Sequence, residues 1–141
     1  MKTQTVLVLV VATSLFACAA GVDRAAPSSA PAPSPTSTAL DGRAYEVTLE
    51  APDAPPQKDT LRFSGGKFES TACTALGFPE WADYAASPNG REIAFQVITR
   101  HPSGTTLSWN GSVQGDAVDG TANRTMNGRT DVLHFRGSVS R

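Results

Sequence analysis

The chain has 141 residues, with 12 Lys and Arg against 13 Asp and Glu and a formal net charge of -1. Its basic residues are scattered singly, which excludes the clustered cationic surface that nucleic-acid binding requires. With 2 cysteines and 2 histidines, there is no disulfide framework to expect and no set of metal ligands at coordinating spacing.

The first segment carries Lys2, an apolar run from Val6 to Val11 extended by Leu15 and Phe16, and small residues from Ala17 to Ala20. A basic start, a short apolar core and small residues, in that order, describe a signal peptide over residues 1–17. The run is too short for a spanning helix, which needs about 20 apolar residues. Leu15-Phe16-Ala17-Cys18 resembles the lipobox of bacterial lipoproteins: aliphatic three positions before Cys and small directly before it, with Phe16 between them larger than the family usually carries. The resemblance implies a diacylglyceryl group on the Cys18 thiol, cleavage after Ala17 and acylation of the new amino terminus. Two or more acyl chains anchor permanently where one binds only marginally. Ala19, where an Asp would retain such proteins elsewhere, implies outer-membrane sorting with the domain facing the periplasm. Ala17-Cys18-Ala19 is also an A-x-A-like site, at which an ordinary signal peptide would be cut to release a soluble protein. If Cys18 is lipidated, Cys73 is left without a partner in an oxidising compartment.

Residues 18–39 form the tether. From Ala25 to Thr38 the chain is Ala, Pro, Ser and Thr only, with no charge and no large apolar residue. Such a stretch cannot build a core, and its prolines favour an extended, semi-rigid spacer of about 3.1 Å per residue, reaching roughly 40–50 Å.

Residues 40–141 leave room for one small domain with one core. Tyr45, Val47 and Leu49 alternate with Glu46, Thr48 and Glu50, the period of a half-buried strand. Asp53 to Lys58, with Pro52, Pro55 and Pro56, is expected as a loop. Alternation resumes from Asp59 to Ser64, and Gly65-Gly66 signals a two-residue hairpin returning through Lys67, Phe68 and Glu69. The rhythm breaks at Ser70–Phe78, which reads as a helical turn with Ser70 as N-cap, Gly77 as the left-handed residue after it and Phe78 as its apolar partner. Residues 70 to 82 are therefore expected to plug or cover the fold. A strand near Tyr84 follows, and Pro88-Asn89-Gly90 turns the chain into Arg91–Arg100, where Ile93, Phe95 and Val97 face inward. Leu107, Trp109, Gly111 and Val113 form the next inward row. Beyond Gly115-Asp116 come Val118, Gly120 and Ala122, then the Asn127-Gly128 turn, then Leu133, Phe135, Gly137 and Val139.

Seven or eight short strands joined by hairpins predict an all-β, antiparallel, up-and-down barrel with a short helical insert. Inward glycines at 111, 120 and 137 mark bends or close backbone approach. The runs Asp59-x-Leu61-x-Phe63, Phe68-x-Ser70-x-x-Cys73-x-x-x-Gly77-Phe78 and Trp109-x-Gly111 through Gly120-Thr121 resemble a group of short exported bacterial proteins of unassigned function, and the texture is similar to lipocalin-like small barrels. Neither resemblance supplies a catalytic residue or a cofactor.

Catalytic constellations are not assembled by these residues. Gly111-Ser-x-x-Gly115 is not the nucleophile elbow, and no helix pattern follows it. Asn110-Gly-Ser and Asn123-Arg-Thr match the glycosylation sequon by chance in a bacterial lipoprotein. His101 lies in a loop, His134 alternates outward, and Cys73 reads as a small buried hydrophobe. Binding is what remains, without enzyme activity, cofactor or metal. The inward list of Tyr45, Leu49, Phe63, Phe68, Tyr84, Phe95, Trp109 and Phe135 is bulky enough to fill a small barrel, leaving a protein or envelope component as partner at Trp81, Phe78, Cys73 or Trp109. The alternative is a carrier of a small apolar ligand with residues 70–82 as its lid.

Overall fold

The computed structural model describes residues 38–141. The expected signal peptide, the expected lipidation site Cys18 and the expected tether as far as Ser37 lie outside the described residues.

Eight strands and one short helix follow in chain order: β1 (Ala44–Ala51), β2 (Ala54–Ser64), β3 (Lys67–Ser70), α1 (Thr71–Ala75), β4 (Ala82–Asn89), β5 (Glu92–Arg100), β6 (Thr106–Gln114), β7 (Ala117–Met126) and β8 (Arg129–Val139). Each strand pairs antiparallel with the next, and β8 closes on β1, giving an up-and-down barrel without free sheet edges at the closure. The turns follow from their residues. Gly65 and Gly66, and likewise Asn127 and Gly128, hold positive φ, the backbone that a two-residue turn matched to strand twist demands.

Two expectations are corrected. Asp53–Lys58 is not a loop, because β2 already begins at Ala54 and pairs Lys58 with Thr48 and Gln57 with Leu49. Pro55 and Pro56 are tolerated there because the register shifts between Leu49 and Ala51 at that point, so the missing N–H groups fall where the ladder is interrupted. Pro88 and Asn89 are likewise the last residues of β4, and the turn into β5 is Gly90-Arg91.

Alternation places the inward residues as expected. Tyr45, Phe63, Phe68, Tyr84, Phe95, Trp109 and Phe135 are all buried, and their rings meet edge-on or tilted across the lumen. Phe63 sits at the hub, 5.3 Å from Phe68, 5.0 Å from Tyr84 and 5.1 Å from Phe95 between ring centroids. An eight-stranded barrel is just wide enough for side chains to fill it, and here aromatic rings do so. The glycines make this possible. Phe95, Gly111, Gly120 and Phe135 lie in one row across β5, β6, β7 and β8, and the two phenyl rings cover the glycine backbone between them. Outward positions carry Glu46, Arg62, Lys67, Asp83, Gln96 and Arg100, which suits a wall facing water and not the apolar band of a membrane barrel. Among the described residues no helix is long and apolar enough to cross a membrane.

Candidate functional site

The two ends of the barrel are closed by different devices. The first end gathers the start of β1, the end of β8 and the hairpins β2–β3, β4–β5 and β6–β7. Thr38–Gly42 turns over part of it, so Thr38 and Ala39, expected from the sequence to end the tether, belong to the folded unit. Leu40 is fully buried, and its N–H donates to Tyr84 Oη at 3.1 Å. The Tyr84 hydroxyl donates to Asp41 Oδ1 at 2.9 Å, and Asp41 accepts the Gly66 N–H at 3.0 Å. Burial pushes the Tyr84 phenol up to about 12; the Leu40 N–H opposes the shift and the Asp41 carboxylate adds to it.

The second end holds the β3–β4 insert and the loop after β5. Ser70 caps α1, accepting the Cys73 N–H at 3.1 Å, and the helix ends as expected: Gly77 at φ +93, with Gly77 N–H donating to Thr74 O and Phe78 N–H to Cys73 O. Asp59 anchors the insert. Its buried carboxylate accepts from the N–H groups of Thr60 and Ala72 and from the hydroxyls of Ser70 and Thr71. A buried charge is tolerable only with such partners. The insert acts as a plug: Cys73 and Phe78 join the core, and the Phe78 ring meets His101 edge-on at 5.1 Å. Burial pushes the Cys73 thiol up to about 11, Ser70 opposing and Asp59 reinforcing. A thiol so held is a poor nucleophile at neutral pH.

The four residues singled out for contact are not gathered into one site. Trp109 is 1% exposed at the centre of the barrel, 5.2 Å from Phe68 and 5.6 Å from Phe135 between centroids. Its Nε1, with Thr99 Oγ1 and Arg124 Nε, is buried and has no hydrogen-bond partner among the described residues. Phe78 and Cys73 are buried in the plug. Only Trp81 is open, at 38% exposure, and the Arg62 guanidinium lies 5.6 Å from its ring centroid. Among the described residues no three His, Cys, Asp or Glu side chains converge as metal ligands.

What the alternation pattern did not single out is the uncovered part of the first end. A cavity of about 390 Å³ opens there between Arg43, Tyr45, Arg91, Ile93, Val113, Asp116 and Val139. Its residues come from β1, β5, β6, β8 and two hairpins, so no contiguous motif announces it. The available signal was that Arg43, Arg91 and Asp116 each flank a strand terminus, and hairpin order sends those termini to one end.

The chain matches no protein-family model, no curated protein and no solved structure.

Proposed function

We propose that this protein is an exported envelope lipoprotein, anchored to the outer membrane through lipid on Cys18, whose barrel is a non-enzymatic module that binds a protein or another envelope component from the periplasmic side. The observation that carries the binding half of this reading is the filled lumen. Seven aromatic side chains, Tyr45, Phe63, Phe68, Tyr84, Phe95, Trp109 and Phe135, are each at most 2% exposed, so contact with a partner falls to the outer wall and the rims. The same observation weighs against the alternative, a lipocalin-like carrier of a small apolar ligand, which needs an interior chamber and a movable lid. Residues 70–82 are pinned by Asp59 and contribute Cys73 and Phe78 to the core. The anchoring half rests on Leu15-Phe16-Ala17-Cys18.

Each half has its test. Cys18→Ser is expected to move the protein from the membrane fraction to the soluble fraction of its host; a variant that still pellets with membranes refutes the anchor. Native mass spectrometry of the protein released gently from its host's envelope is expected to retain a stoichiometric protein or envelope adduct. A small apolar mass that leaves only on denaturation would replace the module reading with the carrier.

A further inference from the structure

We propose that the open part of the first rim is a binding site for a small organic monocarboxylate, with the carboxylate held between Arg43 and Arg91 and the apolar body resting on Ile93, Val113 and Val139. The inference goes beyond the envelope-binding reading and stands without it. The cavity of about 390 Å³ lies at the small end of the roughly 300–1,000 Å³ range of ligand pockets, and barrel mouths are a common place for them. The apolar surface it offers is that of the half-buried Ile93 and Val139, held in place by Tyr45 and Val113, which are 0% and 1% exposed and packed behind them.

The rim supplies the charge. Among the described residues the ion pairs are made by Arg62, Lys67 and Arg124, so neither Arg43 nor Arg91 has a carboxylate within 4.0 Å. Arg43 donates to the Tyr45 hydroxyl at 3.3 Å, which directs its side chain over the cavity wall and leaves further guanidinium N–H donors unused. Asp116 shares the rim because its carbonyl accepts the Val139 N–H at 2.8 Å. Two guanidinium groups and one carboxylate leave a net charge of +1, which a monoanion neutralises and a dianion overshoots. Guanidinium forks match carboxylates in shape as well as sign. The cavities on the outer wall lack this combination. The one beside Asp59 pairs Lys58 with two carboxylates, Glu46 and Asp59, and that along β4, β5 and β6 sets Asp83 against a single Arg100, which leaves no net charge.

The probe is hexanoate, titrated into the full chain at neutral pH and low salt while the methyl signals of Ile93, Val113 and Val139 are followed by NMR, with Leu107 and Leu133 as internal references. The expected result is saturable shifts confined to the three rim methyls. Arg43→Gln and Arg91→Gln should each weaken binding by about tenfold, in line with loss of a charge-assisted hydrogen bond, and the double variant should abolish it. Both arginines are exposed; Arg91→Gln should keep the wild-type unfolding midpoint, Arg43→Gln should lower it slightly through loss of its bond to the Tyr45 hydroxyl, and loss of binding in the folded variants then reports on the site. Hexan-1-ol, with the same tail and no charge, should bind at least about tenfold more weakly. Absence of saturable shifts, equal affinity for hexanol, or binding unaltered in the folded double variant would each overturn the proposal.

Discussion

Adding one methyl group at Gly111 or at Gly120 separates two kinds of crowding in the same barrel wall. A Cβ built on Gly111 would lie 2.5 Å and 2.7 Å from ring carbons of Phe95 and 2.7 Å from Phe135 Cζ. Ordinary contact begins near 3.4 Å, so rings must move by most of an ångström, but their far ends can move. A Cβ on Gly120 would lie 2.6 Å from Phe135 Cζ, which can move, but would also strike two backbone atoms, the Asn110 carbonyl oxygen and, at 2.6 Å, Gly111 Cα. Those atoms belong to β6, which cannot retreat without opening its ladder with β7. Overpacking a core costs about 1–3 kcal/mol, and the stiffer denatured chain returns about 0.4–1 kcal/mol. Gly111→Ala should therefore lose roughly 1–2 kcal/mol and Gly120→Ala about 3 kcal/mol or more. Phe95→Leu should recover part of the Gly111→Ala loss, with a coupling of about 1 kcal/mol in a double-mutant cycle, whereas Phe135→Leu should not rescue Gly120→Ala. Urea unfolding followed by tryptophan fluorescence measures all of these. If Gly120→Ala stays within about 0.5 kcal/mol of wild type, or if both leucine changes rescue equally, the assignment of the bend to backbone approach is wrong.

Two further outcomes follow from the closures. Because Tyr84 is held neutral with its phenol raised from 10.0 to about 12, stability should be complete below pH about 10 and fall as pH rises towards 12, by an amount on the order of 2–3 kcal/mol. Measured in a Cys73→Ala background, since Cys73 titrates nearby at about 11, that slope should flatten in Tyr84→Phe; an unchanged slope would remove Tyr84 as its source. Asp59→Asn keeps the size of the side chain but loses the charge that four donors share, and should cost about 2–3 kcal/mol. Chemical denaturation checks this, and a loss below about 0.5 kcal/mol would show that α1 is held by Cys73 and Phe78 alone.

The strands and turns were legible because single residues carry them. Tyr45-x-Val47-x-Leu49 can bury one face only as a strand, Gly65-Gly66 can reverse the chain in two residues, and Ser70 with Gly77 brackets a helix too short to show any period. Pro55-Pro56 misled because the cost of proline in a strand depends on the partner's register, which shifts at that point. Asp59 shares the inward parity of Leu61 and Phe63, and an inward carboxylate demands donors. Those donors were within reach: a hairpin pairing Ser64 with Lys67 also pairs Leu61 with Ser70, and one further step brings Asp59 to Ala72, whose N–H it accepts.

The rim was not legible, for a different reason. Core positions are constrained by alternation, and so the ring-filled lumen could be anticipated from eight bulky inward residues before any register was known. Exposed positions obey no such period. Arg43 sits before β1, Arg91 in the β4–β5 turn and Asp116 in the β6–β7 turn, and each alone is an ordinary polar residue beside a strand end. Their meaning depends on closure: the β7–β8 pairing sets Val139 beside Asp116, and only when β8 also pairs with β1 does Val139 meet Tyr45 and complete the cavity wall. Closure also leaves the opening on one side of one end. Leu40 and Asp41 cover the part of the first end bounded by β2, β3 and β4, while Cys73 and Phe78 plug the second. A barrel whose lumen is full has its distinctive chemistry where the wall stops, and here the wall stops with two arginines over an apolar floor.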